Sequence, residues 1–139
     1  SNISAGIGRG QMEVIEQRIE KRRENHFYYR KELQELEYIF FLEEPGDNYF
    51  SNFWLTTILI RNNEKKRDDL REFLEKFNIE SRPLWKPMHL QPIFKDAPAY
   101  KNGISENLFD TGLCLPSSSN ITDEEREFVV KRIKEFFKH

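Results

Sequence analysis

The residues best equipped for chemistry lie together in one proline-stiffened run, Ser81-Arg82-Pro83-Leu84-Trp85-Lys86-Pro87-Met88-His89-Leu90-Gln91-Pro92. Arg82 and Lys86 could meet a phosphate or a carboxylate, Arg through a planar fork of donors and Lys as a point charge. Trp85 could stack on a ring or cover a sugar face. His89 and Gln91 could hydrogen-bond hydroxyls or a carbonyl. The prolines reduce the conformational entropy lost in holding such side chains ready. The same composition also fits a structural loop whose charges are solvated, and composition alone leaves both readings open. Trp85 taken by itself fits a core position better than a contact.

Elsewhere the candidates for chemistry are weak. Cys114 is the one cysteine, which excludes an internal disulfide and a multi-cysteine zinc site. It sits between Leu113 and Leu115, an ordinary setting for a buried structural thiol. His26 falls on a helix face and His139 ends the chain, neither with a partner at metal-ligand spacing, so no metal site is expected. Gly6-Ile7-Gly8-Arg9-Gly10 does not follow a strand and lacks the G-x-G-x-x-G spacing of a dinucleotide loop. Small residues there fit close helix packing better. No nucleophile triad or other catalytic set emerges.

The elements that must position the loop read as an α+β arrangement. Met12, Ile15, Ile19, Arg22, His26, Tyr29, Leu33 and Leu36 recur at helical spacing, which predicts one long helix over about residues 1–37 with a single packed face. Arg22 and His26 interrupt that stripe, so a bend or half-exposure is expected there, and packing on another domain or subunit fits better than a free coiled coil. Short strands are expected at Tyr38–Leu42, Phe53–Arg61, Ile79–Arg82 and Leu113–Leu115, with a turn at Pro45–Asn48. A helix over Glu64–Phe77 buries Leu70, Phe73, Leu74 and Phe77. The last helix opens with Thr122 as N-cap and Glu125 at the capping-box position, and turns Phe128, Val129, Ile133, Phe136 and Phe137 inward. Five of the six prolines lie from Pro83 to Pro116, so Arg82–Gly112 reads as an ordered loop, with one short helix near Ala97–Lys101. Loops this long inside a compact domain usually carry function. Together these predict a small antiparallel sheet with the long N-terminal helix and two further helices on one side.

Size and charge bound the rest. The chain has 139 residues, 33% of them charged and 14% aromatic, with a net charge of −2. That aromatic content is foreign to disordered chains, and the balance lacks the basic excess of a nucleic-acid binder. The longest apolar stretch, Phe53–Ile60, is broken by Thr56 and Thr57 and falls short of a membrane span. No signal peptide is visible, so a cytoplasmic setting is expected. Ser1 in place of a starting Met, followed by small residues and a long helix, has the look of a cut inside a longer protein.

Three segments resemble the C-terminal domain of the DegT/StrS-type sugar aminotransferases, which have the aspartate-aminotransferase fold (fold type I). They are SNISAGIGRGQ at the start, ESRPLWKPMHLQPIF in the loop, and GLCLPSSSNITDEE before the last helix. The likeness runs from Asn2 to that helix and is most specific in RPLWKPMHLQP. It points toward members that make 4-amino-6-deoxy sugars on nucleotide carriers, including the UDP-linked 4-amino-4,6-dideoxy-N-acetylglucosamine type.

The resemblance implies a pyridoxal 5'-phosphate enzyme that takes an amine from glutamate and delivers it to the C4 ketone of a nucleotide-linked 4-keto-6-deoxy sugar, for polysaccharide or glycan precursors. It implies that residues 1–139 form the small C-terminal domain, that the first helix packs on a large domain, and that the intact protein is a homodimer. The Schiff-base lysine and an Asn-x-Arg motif are expected upstream of Ser1, so Lys86 does not take that role, and the isolated chain is expected to be inactive and free of cofactor. The resemblance places His89, in the His-x-Gln position with Gln91, in contact with substrate or the cofactor pocket, and Arg82, Trp85 and Lys86 at the sugar-nucleotide entrance. Two other readings remain: a stand-alone α+β binding or regulatory module without catalysis, and a helix-mediated oligomerisation module.

Overall fold

A computed structural model describes residues 1–62 and 64–138. His139 lies outside the described residues. The element order is α1 (Asn2–Met12), α2 (Ile15–Leu33), β1 (Ile39–Phe41), β2 (Thr56–Ile60), α3 (Arg67–Glu75), β3 (Arg82–Pro83), two 3₁₀ turns (Met88–Leu90 and Pro92–Phe94), α4 (Ile104–Thr111), β4 (Gly112–Leu115) and α5 (Asp123–Lys138). The strands form one antiparallel sheet in the order β1-β2-β4-β3. The expected α+β class and antiparallel sheet are what the structure shows.

Strand alternation sorts the sheet's faces. Ile58 and Ile60 of β2 and Leu113 and Leu115 of β4 point to the same side, where they meet Tyr29 and Leu33 of α2, Leu70 and Leu74 of α3, and Val129, Val130 and Ile133 of α5. Leu59 and Cys114 point the other way and are still buried; α4 lies against β2 and β4. Gly112 permits a close approach there: a Cβ on it would stand 2.1 Å from Leu84 Cδ1 and 2.4 Å from the Leu108 carbonyl oxygen.

The predicted N-terminal helix is interrupted, but not where the polar stripe positions pointed. It breaks at Val14, whose backbone leaves the helical region with φ −117° and ψ 5°. None of the residues of α1 is buried, so nothing in the described chain holds the two segments to one axis. Burial then rises along α2, from exposed Ile15 to Tyr29 and Leu33 at full burial. Arg22 and His26 have partners rather than causing a bend. Arg22 donates to the carbonyls of Trp54 and Ser117, and His26 stacks on Phe53 with ring centroids 3.7 Å apart.

The same helix clamps the segment after β4. Arg18 donates to Asn120 Oδ1 (2.7 Å), Asn25 Nδ2 to the Ser118 carbonyl (2.9 Å) and Tyr29 Oη to the Pro116 carbonyl (3.0 Å). Ser117 Oγ closes the arrangement by accepting from the Thr56 amide at 2.8 Å and donating to the Leu115 carbonyl at 2.7 Å.

Helix ends follow local chemistry. Thr122 Oγ1 accepts from the Glu125 amide at 3.2 Å while Glu125 accepts from the Thr122 amide at 2.9 Å, which is the predicted capping box. Asp69 accepts from the Lys66 amide at 2.8 Å at the start of α3. At its end Asn78 takes φ 58°, and the Ile79 amide reaches the Leu74 carbonyl at 3.1 Å, a left-handed C-terminal cap. The helix expected near Ala97–Lys101 is absent; α4 begins later, at Ile104, after left-handed Gly103. An Asx contact starts it, the Ile104 amide donating to Asn102 Oδ1 at 3.2 Å.

Candidate functional site

The loop leaves the sheet from its edge. Arg82 pairs with Cys114 and Pro83 with Leu113 in β4, and the Leu84 amide donates to the Gly112 carbonyl at 3.2 Å. An edge strand accepts Pro83 because its missing N–H faces no partner strand. Beyond it the chain folds into successive tight turns, with Leu90 donating to Pro87, Gln91 to Met88, Phe94 to Gln91 and Ala97 to Phe94. Pro92 stands at the first position of its 3₁₀ turn, where a missing N–H costs nothing.

The five loop candidates do not converge on one cavity. Arg82 and Trp85 border a groove of about 340 Å³ that Trp54, Ser81, Cys114 and Ser117 also line. His89 borders a separate cleft of about 300 Å³ with Met88, Phe94, Pro98 and Tyr100. Lys86 is exposed, and Gln91 turns back on the loop, its amide nitrogen 3.4 Å from the Lys86 carbonyl.

Trp85 is not a core residue. It is 66% exposed, and Trp54, 59% exposed, stands beside it with ring centroids 6.2 Å apart and planes tilted by 33°. Two large aromatic rings left in the open on one groove are unusual on a surface and form a platform for a flat or weakly polar ring. Arg82 is exposed and bound to Glu80, its Nε 2.8 Å from Oε1. A surface pair of this kind is weak, so the guanidinium can exchange Glu80 for a ligand anion.

His89 is partly enclosed. Its side chain is 16% exposed, and Nε2 lies 2.7 Å from Glu106 Oε1, on the first turn of α4. The Glu106 carboxyl is held below the usual carboxylate range, first by its own backbone N–H and then by His89 and Ser105. Cys114 is free and buried, and burial pushes its thiol up, away from the reactive thiolate. Among the described residues no group of three or more His, Cys, Asp or Glu could hold a metal ion, and no helix is long and apolar enough to cross a membrane.

Sequence reasoning missed Trp54 and Glu106. Trp54 falls inside the predicted Phe53–Arg61 strand, but the strand begins only at Thr56. Phe53, with φ 42°, turns the chain ahead of it and leaves Trp54 on the surface. Glu106 is 17 residues from His89 on a helix expected elsewhere, so no local signal joined the two.

This fold is found in known aminotransferases: TlmJ from Streptoalloteichus hindustanus superposes with a TM-score of 0.88 at 18% identity, over 98% of this chain and 36% of that one. Closer in sequence are EpsN of Bacillus subtilis (strain 168), assigned by name to the pyridoxal phosphate-dependent aminotransferases, and the GDP-perosamine synthase of Vibrio cholerae. They are 40% and 32% identical, each over 99% of this chain. The chain belongs to the DegT/DnrJ/EryC1/StrS aminotransferase family, whose model matches residues 1–134. It spans 36% of the length of EpsN and 37% of that of the Vibrio cholerae protein.

Pyridoxal phosphate calls for an amine to hold its aldehyde and for donors around its phosphate. The loop does not assemble such a cradle. None of its lysines, Lys86, Lys95 and Lys101, borders either groove, and among the described residues Arg82 is the one cation on the lining of the two. No step through the cofactor follows from these residues.

Proposed function

We propose that this chain is the C-terminal small domain of a transaminase that moves an amino group from glutamate to the C4 ketone of a nucleotide-linked 4-keto-6-deoxy sugar. Pyridoxal 5'-phosphate carries the amine, and the product feeds polysaccharide or glycan precursors in the cytoplasm. The observation that carries this reading is the family match over residues 1–134, together with relatives named GDP-perosamine synthase in three organisms.

In this reading the Schiff-base lysine belongs to a part of the polypeptide outside these residues. Arg82, Trp85, Lys86, His89 and Gln91 bind the sugar nucleotide at the domain's open side. Arg82 meets the diphosphate charge, the Trp54–Trp85 platform takes a ring, and His89 meets a hydroxyl. The exposed apolar side chains of α1, Ile3 (76%), Ile7 (62%) and Met12 (65%), pack on the large domain, and the intact protein is a homodimer. Exposed apolar side chains on a helix with no buried residue fit a surface that a further domain covers.

The test is direct. The full-length gene product is incubated with pyridoxal phosphate, glutamate and a 4-keto-6-deoxy sugar nucleotide, and 2-oxoglutarate is measured. Formation of 2-oxoglutarate only when the sugar nucleotide is present is the expected result. The 139-residue chain alone is expected to give none. Turnover by the short chain, or no amine transfer to any 4-keto sugar nucleotide by the full-length product, would contradict the reading.

A further inference from the structure

The pairing of His89 with Glu106 says more than that the ring is held. Glu106 is ionised near neutral pH, since hydrogen bonds from its own amide and from Ser105 both favour the carboxylate. An ionised carboxylate only accepts. Nε2 of His89, 2.7 Å from Glu106 Oε1, must therefore carry the proton. In the neutral ring the other nitrogen, Nδ1, is then a lone pair.

The carboxylate is itself fixed. Oε2 accepts from Ser105 Oγ at 3.0 Å, and Glu106 stands in the first turn of α4, where the helix dipole favours a negative charge. The pair is mostly enclosed, with His89 16% and Glu106 26% exposed, so water competes for it less than at an open surface. The prolines at positions 87 and 92 brace the loop that carries His89, and left-handed Gly103 starts the helix that carries Glu106.

We infer that Glu106 is a positioning residue: it holds His89 as the Nε2–H tautomer, so that Nδ1 offers a fixed hydrogen-bond acceptor to a hydroxyl of the bound sugar. The inference rests on the reading of His89 as a ligand contact. It adds the polarity of that contact, which selects a ligand group that donates. A ligand whose matching hydroxyl is replaced by hydrogen or by an acceptor-only group such as fluorine binds less well.

Two measurements on the full-length protein test it. The first is long-range nitrogen–proton NMR of histidine-labelled protein at a pH where the ring is neutral, with His89 assigned by loss of its signals in H89Q. The expected spectrum has Nε2 protonated and Nδ1 bare, and in E106A the preference collapses toward a mixture. An Nδ1–H tautomer in the unmodified protein overturns the inference.

The second is a mutant cycle on kcat/KM for the sugar nucleotide, with Tm followed in parallel. E106A is expected to lower kcat/KM about tenfold, the effect of losing one well-placed hydrogen bond of about 1.4 kcal/mol. E106D, which keeps the carboxylate, is expected to recover part of it, and E106A made in an H89A background should add nothing. An undiminished E106A effect in the H89A background overturns the inference, as does a silent E106A beside a costly H89A. A silent H89A instead removes the reading of His89 as a ligand contact, and the inference with it. Should E106A lower Tm, the E106D recovery and the tautomer decide.

Discussion

His26 should make the chain lose stability in mild acid, and the size of the loss can be worked from its surroundings. The residue is 2% exposed. Its ring is stacked on Phe53 at 3.7 Å and meets Phe27 and Phe41 edge-on at 5.5 and 5.7 Å. Burial is the main reason, and the nearby Arg30 and Arg23 are the next, that its pKa falls from 6.5 to about 4. The sign follows from which state takes the proton. The unfolded chain binds a proton at His26 as pH falls below about 6.5, whereas the folded chain refuses it until about 4. The contribution is therefore fully present above the unfolded pKa and is lost progressively between the two values.

Between about pH 7.5 and about pH 5 the linkage integral for those two pKa values comes to about 2 kcal/mol. Urea denaturation at the two pH values reads it as a drop in midpoint at constant slope. His26→Phe is the control. It keeps an aromatic ring against Phe53 and removes Nδ1, a buried nitrogen with no hydrogen-bond partner. The variant is expected to match or exceed the parent at pH 7.5 and to lose most of the acid sensitivity above about pH 5, before ordinary carboxylates titrate. An identical pH dependence in parent and His26→Phe would refute the reasoning, because the protons would then be taken up elsewhere.

Three further outcomes are expected. Ser117→Ala leaves the buried Thr56 amide without its 2.8 Å acceptor and should cost about 1–3 kcal/mol in denaturant unfolding; a change within error would mean that water or a shifted backbone replaces the hydroxyl. Gly112→Ala forces a Cβ against the Leu108 carbonyl at 2.4 Å and should destabilise by about 1–3 kcal/mol, read as a lower Tm. His89→Ala in the full-length protein should lower kcat/KM with little change in Tm, whereas a large Tm loss with normal turnover would make His89 structural.

The placement of Trp85 changes how the loop is understood. A core tryptophan would make the proline-rich run a plug for the fold. An exposed one beside Trp54 makes it part of an open aromatic surface. The interrupted N-terminal helix belongs to the same pattern: α1 has its apolar side chains in water, and α2 enters the core only in its second half.

What the sequence determined by itself was local. The Thr122–Glu125 capping box, the buried stripe of α3 and the strand at Leu113–Leu115 each depend on residues within a few positions of one another. Their spacing states the geometry before any fold exists. The α+β class followed from that order of elements, and RPLWKPMHLQP marked the family and the loop.

What only the tertiary structure decided were relations between distant segments. Helical periodicity showed Arg22 and His26 as defects in an apolar stripe. Their partners are Phe53, Trp54 and Ser117, from 27 to 95 residues away, and no spacing rule reaches that far. The spacing places Trp54 in a strand, which begins two residues later, and Glu106 in a loop, where the structure has α4. A side chain's partners are set by which backbone segments the core brings together. The His89–Glu106 pair exists because α4 is docked against β2 and β4, and that docking is a property of the folded sheet rather than of either segment.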